Sequence, residues 1–328
     1  MQYTKNLLSK YYNILKENGI AKYQQCKNIP VSFKKNESTD ELWIKHDNSI
    51  NKWKLDEVEP EQSLLDLKIE IASRIFQNCH FCERLCKVDR RKNAGDCGVK
   101  KAGISSEFLH VGEERDLIPS HTIFFSGCTF HCVFCQNWDI SQKTGGIYIE
   151  PSELSEIIKQ RNSQGAKNVN WVGGDPTPNL YYILKVLKEC KTNTPQIWNS
   201  NMYCSIETLK LLNGVIDLYL TDFKYGNDNC ARRLSKVENY LNITKRNHKI
   251  AYKNGEMIIR HLVMPNHVEC CSKPIILWIT KNLSNAVINI MGQYRPEYNA
   301  DDYEDISRFV SKNEVLQVKN FYNSHHNL

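Results

Sequence analysis

Residues 121–135, HTIFFSGCTFHCVFC, join a short apolar run to three closely spaced cysteines. The run His121–Phe125 is rich in β-branched and aromatic side chains, which predicts a buried strand. Cys128, Cys132 and Cys135 follow it in a C-x3-C-x2-C arrangement. Three thiolates on one short loop can bind three irons of a cubane 4Fe-4S cluster, so this loop is the first candidate site.

The three-cysteine motif leaves the fourth iron of such a cluster without a protein ligand. An incomplete ligand set predicts an open coordination position for a cofactor or substrate, because a purely structural zinc site has four closed ligands. His131 or His121 could supply a fourth ligand and complete a zinc site. Zinc is therefore the alternative interpretation of the motif.

Outward from this motif, short apolar runs alternate with helical patterns along most of the chain. Such alternation predicts parallel βαβ units in an open sheet or a partial barrel, and so an α/β fold. The predicted strands are His121–Phe125, Asn168–Val172, Gln196–Trp198, Leu218–Asp222, Met257–Val263 and Val287–Met291. The predicted helices are Ser152–Gln164, Tyr181–Lys191, Ser205–Leu212, Cys230–Arg246 and Pro274–Leu283.

Polar residues or glycines follow each predicted strand directly. The carboxyl ends of parallel strands share one edge of a sheet, and α/β active sites are built there. We therefore expect one composite site from these six segments. They are Ser126-Gly127-Cys128, Gly173-Gly174-Asp175, Asn199-Ser200-Asn201, Asp222-Phe223-Lys224, Met264-Pro265-Asn266 and Gly292-Gln293-Tyr294.

The remaining segments suggest a four-part organisation. Residues 1–77 predict a helical extension, in which Ser63 and Asp66 form a capping-box signature at the start of a helix. The polar stretch Lys27–Glu61 within it gives no clear fold. Residues 78–117 form a Cys-rich module, residues 118–300 the partial barrel and residues 301–328 a helical tail.

The Cys-rich module contains a second cysteine set, CHFCERLCKVDRRKNAGDC, with Cys79, Cys82, Cys86 and Cys97. Four thiolates make a closed site that suits either structural zinc or an auxiliary iron–sulfur cluster, and ligand number does not separate the two. The other six cysteines are scattered and are interpreted as small buried apolar residues. They are Cys26, Cys190, Cys204, Cys230, Cys270 and Cys271.

Composition narrows the class of protein. The 328 residues carry a formal net charge of +6 and are 41% hydrophobic, which is typical of a soluble globular chain. The longest apolar run, Ile275–Ile279, is far shorter than the ~18 residues needed to cross a bilayer. The amino-terminal residues lack the apolar core of a secretory signal, so we expect a cytoplasmic protein.

The motif C-x3-C-x-φ-C, with Phe134 before the last cysteine, resembles the signature of the radical S-adenosylmethionine (radical SAM) superfamily. From about Cys79 to Pro296 the chain also resembles the branch related to pyruvate formate-lyase activating enzymes. The similar segments are TIFFSGCTFHCVFCQNWDIS, NWVGGDPTPNL, LYLTDFK, IIRHLVMPNH and INIMGQYRPEY. The resemblance implies a partial (β/α)6 barrel of the radical SAM type.

The resemblance also implies a chemistry and a set of contacts. A 4Fe-4S cluster on Cys128, Cys132 and Cys135 would bind S-adenosylmethionine and cleave it reductively to a 5′-deoxyadenosyl radical. Gly173-Gly174-Asp175 resembles the family's GGE segment, although the acid here is the shorter Asp. The implied cofactor-binding residues are Phe134, Gly173, Gly174, Asp175, Asn199, Ser200, Asn201, Asp222, Lys224, Arg260 and Gln293.

Partners follow from the same resemblance. It implies an oxidoreductase-type enzyme, an electron donor such as a flavodoxin or ferredoxin, and a partner protein as the leading candidate substrate. A small metabolite or RNA is the alternative substrate, and an iron–sulfur electron-transfer or scaffold protein is the alternative of another class. The basic run Arg90-Arg91-Lys92 lacks the interleaved aromatic residues of a single-strand binder, so nucleic acid is disfavoured.

Overall fold

The computed structural model describes residues 2–50 and 60–326. Part of the polar stretch Lys27–Glu61 therefore lies outside the described residues. Within the described ranges the chain forms seven strands and thirteen α-helices. The strands are β1 (Ile104–His110), β2 (Ser120–Phe125), β3 (Val169–Gly173), β4 (Gln196–Ser200), β5 (Leu218–Asp222), β6 (Glu256–Leu262) and β7 (Val287–Met291).

The helices occupy both termini and the connections between the strands. The amino-terminal ones are α1 (Gln2–Leu7), α2 (Ser9–Leu15), α3 (Lys22–Lys27), α4 (Thr39–Ser49) and α5 (Leu64–Gln77). The others are α6 (Trp138–Ser141), α7 (Pro151–Ser163), α8 (Leu180–Glu189), α9 (Ile206–Leu212), α10 (Asp228–Ser235), α11 (Tyr240–Asn254), α12 (Lys273–Asn282) and α13 (Lys312–His326).

The strands form one sheet in the order of the sequence, from β1 to β7. Strands β2 to β7 are parallel and match the six predicted strands, so the predicted α/β class is confirmed. β1 was not predicted and pairs antiparallel with β2. Since β1 and β7 are the two edges of this order, the sheet is open between them.

Alternation along the strands separates two faces of the sheet. Ile123, Trp171 and Tyr219 are fully buried on one face, in the large core that they share with the helices. Ile197, Leu220 and Ile258 are buried on the other face, in a second cluster with Leu8 and Tyr11 of the amino-terminal extension. Towards the carboxyl end, this second face carries the polar residues Asn199, Asp222 and Arg260 beside apolar ones such as Val172 and Leu262.

Helix α2 covers the amino-terminal end of the sheet. The backbone amides of Lys10 and Tyr11 donate to the Glu256 carboxylate at 2.7 and 2.8 Å. The side-chain amide of Asn168 donates to the Tyr11 hydroxyl at 2.9 Å. The extension is thus packed against the strands and closes the end that lies away from the cysteine loop.

Two helix predictions have clear outcomes. The capping box at Ser63 and Asp66 is confirmed, because each side chain bonds the backbone amide of the other residue. The single helix predicted over Cys230–Arg246 is wrong, because the chain forms α10 and α11 instead. Lys236 and Asn239 adopt left-handed backbone angles between them, with φ of 56° and 50°, which ends one helix and redirects the chain.

Large apolar side chains from distant segments meet in one core. Leu65 and Ile71 of α5, Ile183 of α8 and Ile306 near the carboxyl end all belong to it. The four-part division of the sequence stays a prediction. Across the described residues, no helix is both long and apolar enough to cross a membrane.

The end of β3 yields a stability prediction. Gly173 has φ of +127°, and a Cβ there would lie 2.1 Å from the Phe125 carbonyl oxygen. We expect Gly173→Ala to lower the free energy of unfolding by about 1–3 kcal/mol, measured by denaturant titration of the apoprotein. Gly145→Ala is the control, since an added Cβ there meets nothing within 4 Å. Equal stabilities for the two variants would contradict the prediction.

Candidate active site

A cavity of about 390 Å³ lies at the carboxyl ends of the parallel strands. It brings together residues from five of the six predicted strand-end segments. The expectation for Met264-Pro265-Asn266 is wrong, because none of these residues lines the cavity and Asn266 bonds Asp305 instead. The predicted site residues that line it are Cys128, Cys132, Phe134, Cys135, Gly173, Gly174, Asn199, Ser200, Asn201, Asp222, Lys224, Arg260 and Gln293. Their individual roles in cofactor binding stay predictions.

The cysteine loop follows β2 and is held from several sides. The Cys132 sulfur lies 2.9 Å from the Ser235 hydroxyl, and the Cys135 sulfur lies 3.1 Å from the Ser141 hydroxyl. The Cys128 sulfur lies 3.3 Å from the Gly174 carbonyl oxygen at the end of β3. All three sulfur atoms are therefore positioned by contacts with other parts of the chain.

Burial controls the chemistry of these thiols. It raises the pKa of Cys132 to about 12, helped by the neighbouring Cys135, and raises the pKa of Cys128 well above its usual value. The free thiols of Cys128 and Cys132 are therefore neutral near pH 7. A cationic metal centre offsets that burial and stabilises the thiolates, as metal ligation requires.

Neither histidine considered for a zinc site faces these thiols. Both ring nitrogens of His131 are engaged, Nδ1 with Gln142 at 3.0 Å and Nε2 with Asp96 at 3.1 Å. His121 is buried with its Nε2 at 2.9 Å from the Glu107 carboxylate. The loop therefore presents three sulfur donors without a histidine, which fits a cluster with one open iron better than closed zinc.

The glycine pair at the end of β3 lets two backbones meet. A Cβ on Gly174 would lie 2.1 Å from the Gly127 carbonyl oxygen, in the loop that carries the cysteines. The Asp175 amide donates to that same carbonyl at 3.1 Å. The glycines thus join the second strand end to the cysteine loop, as close backbone approach requires.

Asp175 is the predicted site residue that does not line the cavity. Its side chain is 1% exposed and accepts from the amide of Thr177 at 2.8 Å. Its other oxygen accepts from the Ser200 hydroxyl at 3.0 Å and the Asn201 amide at 3.2 Å. Asp175 therefore ties the end of β3 to the end of β4, and its direct contact with a cofactor stays a prediction.

A partly buried charge network spans β5 and β6. Asp222 accepts from Arg260 Nε at 3.0 Å and from Lys224 Nζ at 2.7 Å, and Asp222 is paired with Arg260 in the sheet register. Burial alone raises the pKa of Asp222, but Arg260 and Lys224 outweigh it and lower the pKa to about 2. The cavity thus holds two cations and one carboxylate in fixed positions.

Arg260 also reaches across β5 to β4, where its Nη2 donates to Asn199 Oδ1. The Nδ2 of Asn199 is buried and has no hydrogen-bond partner. An unpartnered donor in a polar cavity fits a ligand with an oxygen acceptor, such as a carboxylate or a ribose hydroxyl. His261, the next residue on β6, points away from the cavity and bonds Phe223 and Ser272.

Among the polar cavity residues that the sequence analysis missed are His110 and Glu113. They lie at and just beyond the end of β1, and the Glu113 carboxylate is 3.5 Å from Arg260 Nη1. Burial raises the pKa of Glu113 against the attraction of Arg260. The alternating segment Ile104–His110 was the available signal, but it was assigned to the Cys-rich module.

The second cysteine set forms its own centre. Cys79, Cys82 and Cys97 are buried and Cys86 is partly buried. Gly95 lies between two of the sulfur atoms, because a Cβ there would be 3.1 Å from Cys86 Sγ and 3.5 Å from Cys97 Sγ. The structure therefore brings the four predicted ligands into one region.

This module contacts the cysteine loop through its own backbone and side chains. Arg84 Nε donates to the Thr129 carbonyl at 3.0 Å, and the Glu83 amide donates to the Tyr203 carbonyl at 3.2 Å. The segments that carry the two cysteine sets are thus in direct contact.

An open sheet with parallel strands, and a three-cysteine loop at the carboxyl end of its first parallel strand, define a radical SAM enzyme. The Radical SAM superfamily profile matches residues 122–278. This chain belongs to the radical SAM superfamily. The family implies a 4Fe-4S cluster and S-adenosylmethionine as cofactors. The three sulfur donors on one loop and the unpartnered Asn199 amide fit them.

Relatives of the chain span two levels of similarity. The uncharacterized protein MJ0674 of Methanocaldococcus jannaschii is 50% identical over 332 residues, which cover 96% of this chain and 98% of that protein. Pyruvate formate-lyase 1-activating enzyme of Escherichia coli K12 is 26% identical over 148 residues, which cover 43% of this chain and 60% of that enzyme. The structure of HydG, a maturase of the [FeFe]-hydrogenase, aligns with 97% of this chain and 66% of its own at 13% identity and a TM-score of 0.46.

The pKa of Asp222 predicts a pH dependence of stability. Its value of about 2 lies below the ordinary value near 4, so the ionised carboxylate stabilises the folded chain above about pH 4. That stabilisation, about 2 kcal/mol, is lost as the pH falls from 4 through 2. Asp222→Asn should remove this contribution from the pH profile of the free energy of unfolding of the apoprotein. An unchanged slope between pH 4 and 2 would contradict the assignment.

Proposed function

We propose that this chain is a radical SAM activating-type enzyme whose substrate is a partner protein. When bound, the 4Fe-4S cluster and S-adenosylmethionine supply a 5′-deoxyadenosyl radical that abstracts a hydrogen atom from the substrate. The observation that carries the proposal is the three-cysteine loop at the floor of a cavity lined by fixed charges. The residues of the chain then have to hold the cofactor and admit the substrate.

Cys128, Cys132 and Cys135 would hold three irons and leave the fourth for the amino and carboxylate groups of S-adenosylmethionine. Lys224 and Arg260 supply cationic donors, and Asp222 an acceptor, in the same cavity. Asn199 adds a buried amide donor without a partner. These residues suit a zwitterionic nucleoside better than an uncharged ligand.

The size of the cavity supports a macromolecular substrate. At about 390 Å³ it lies near the lower end of the range of about 300–1,000 Å³ that small-molecule sites occupy. A cluster and S-adenosylmethionine would fill most of that volume, so a substrate has to reach the radical from the mouth. A loop of a partner protein meets that requirement, and the similarity to an activating enzyme points the same way.

A partner for electron transfer is part of the proposal. Reductive cleavage consumes one electron for each S-adenosylmethionine, and no side chain in the cavity can supply it repeatedly. A small reduced protein such as a flavodoxin or ferredoxin is therefore the proposed donor.

We further propose an auxiliary iron–sulfur cluster at Cys79, Cys82, Cys86 and Cys97 in preference to zinc. In the part of the chain that the structure describes, no three of these sulfur atoms lie within 4.8 Å of one another. A tetrahedral ZnS4 site with bonds of about 2.3 Å needs sulfur atoms about 3.8 Å apart, whereas a cluster spreads them further.

Arg90 supports charged ligands at this centre. Its side chain is 1% exposed, and its Nη1 lies 3.6 Å from Cys79 Sγ. A buried guanidinium requires a compensating negative charge, which neutral thiols do not supply. Four thiolates around a metal centre do supply it.

The alternatives make different predictions. A small metabolite or RNA as substrate keeps the same cofactor cleavage but changes which cell fraction stimulates it. An electron-transfer or scaffold protein would hold clusters without cleaving S-adenosylmethionine. The charged cavity beside the three-cysteine loop favours the enzyme over the scaffold, because a scaffold has no use for it.

Cofactor cleavage tests the proposed function. Anaerobically reconstituted and reduced protein should form 5′-deoxyadenosine from S-adenosylmethionine, and the rate should rise with the macromolecular fraction of its own cell extract. Cys128→Ala, Cys132→Ala and Cys135→Ala together should abolish product because the cluster loses its ligands. Cys190→Ala, a buried cysteine outside both centres, is the matched control.

Three outcomes are informative. Stimulation by the small-molecule fraction alone would replace the protein substrate with a metabolite. Stimulation that nuclease treatment of the macromolecular fraction removes would favour RNA. No product above the triple variant, with the cluster intact by absorption, would overturn the enzyme and favour the scaffold.

Metal analysis tests the auxiliary cluster. The parent protein should contain about 8 iron and 8 sulfide per chain, and Cys82→Ala with Cys86→Ala should halve both values. Cys26→Ala, fully buried elsewhere, should leave them unchanged. Loss of zinc in place of iron from the double variant would show that the site holds zinc.

A further inference from the structure

A third group of cysteines forms where the scattered residues Cys230, Cys270 and Cys271 meet. Their three sulfur atoms all lie within 4.8 Å of one another, and those of Cys270 and Cys271 are 3.8 Å apart. Over residues 2–50 and 60–326, no other group of three His, Cys, Asp or Glu side chains meets that criterion. The interpretation of these cysteines as isolated buried residues is therefore wrong.

The spacing of the sulfur atoms suits one metal ion rather than a cluster. Sulfur ligands about 2.3 Å from a tetrahedral zinc ion are about 3.8 Å from each other, which matches the distance between Cys270 Sγ and Cys271 Sγ. Thiolates select soft or borderline ions, of which zinc needs no redox partner. Three protein ligands leave a fourth position.

The two segments that carry these cysteines are locked together. Cys230 lies in the first turn of α10, and Cys270 and Cys271 lie in the π-turn before α12. Asn227 spans the gap, because its Oδ1 accepts from the Cys230 amide at 2.8 Å and its Nδ2 donates to the Cys270 carbonyl at 3.0 Å. The site is therefore held in place by contacts other than its own thiols.

Gly226 permits this close approach. A Cβ on Gly226 would lie 2.6 Å from the Cys270 carbonyl oxygen and 2.7 Å from the Cys271 Cα. The loop after β5 thus lies directly against the π-turn, and only a residue without a side chain fits there.

His267 is the candidate for the fourth position. It is 2% exposed, and its Nδ1 lies 2.8 Å from the Pro265 carbonyl oxygen, to which it donates. That bond leaves Nε2 as the acceptor of the neutral ring, a pattern typical of metal-binding histidines. In the same region Arg233 lies 3.4 Å and Asp305 3.6 Å from Nε2.

We propose that Cys230, Cys270 and Cys271 bind a zinc ion, with His267 or water as the fourth ligand. This ion would fasten the start of α10 to the connection between β6 and α12. The site is separate from the two centres already described, and its existence does not depend on the proposed reaction.

The proposed ion lies at one end of a helix whose other end supports the radical centre. The Ser235 hydroxyl, in the last turn of α10, contacts Cys132 Sγ at 2.9 Å. The amides of His131 and Val133 donate to the carbonyls of Ser235 and Leu234 at 3.0 and 2.9 Å. Fixing the position of α10 would therefore restrict the motion of the loop that carries Cys128, Cys132 and Cys135.

Elemental analysis of anaerobically purified protein tests the proposal. The parent chain should contain about one zinc ion, and Cys230→Ala with Cys271→Ala should lose it while keeping the iron content of the parent. Cys270→Ser, at an exposed position where folding is little affected, should lose zinc on dialysis against a chelator. Cys190→Ala is the matched control and should retain zinc under the same dialysis.

A second readout is independent of enzyme activity. Amide hydrogen exchange at residues 131–133 should be faster in Cys270→Ser than in Cys190→Ala, because the carbonyl partners of these amides lie on α10. Equal zinc in Cys270→Ser and Cys190→Ala after dialysis would overturn the proposal. So would a metal-free parent in which peptide mapping recovers two of the three cysteines as a disulfide.

Discussion

The loop from Gly127 to Cys135 can bind a metal centre only if its three cysteine sulfur atoms are held in place, and contacts from several parts of the molecule serve that requirement. Its cysteines contact the end of β3 through Gly174, a short helix through Ser141 and α10 through Ser235. Burial disfavours the thiolate forms of Cys128 and Cys132. A bound metal centre therefore stabilises the loop, and the surrounding contacts set where that centre can lie.

The carboxyl ends of the other strands each contribute different residues to the site. β3 provides glycines that let backbones meet, and Asp175 ties β3 to β4. β5 and β6 provide Asp222 and Arg260, which pair across the sheet register and reach Lys224 and Asn199. Because a buried ion pair is stable only when each charge has partners, this network keeps its geometry before any ligand arrives. Such preorganisation is what a site for a charged cofactor needs.

Three cysteine-bearing segments lie next to one another: the Cys-rich module, the loop of Cys128, Cys132 and Cys135, and α10. The module with Cys79 lies against the cysteine loop through Arg84, and α10 lies against the same loop through its last turn. The amino-terminal helix α2 closes the far end of the sheet, where the side chains are apolar. The charged residues Asp222 and Arg260 lie at the opposite, carboxyl end of the same face of the sheet, next to the cavity and the cysteine loop.

The local sequence pattern was sufficient to predict the six parallel strands, the capping box at Ser63 and the C-x3-C-x2-C loop. Each of these depends on residues that are close together in the sequence. β1 was missed because an antiparallel edge strand with polar residues resembles an irregular segment. The break between α10 and α11 depends on two left-handed residues that carry side chains, for which propensity gives no signal. The inward direction of Arg260, the engagement of Asp175 within the fold and the meeting of Cys230 with Cys270 and Cys271 were decided only by the tertiary structure. In each case the physical reason is that the partners are tens of residues apart and come together only when the strands and helices pack.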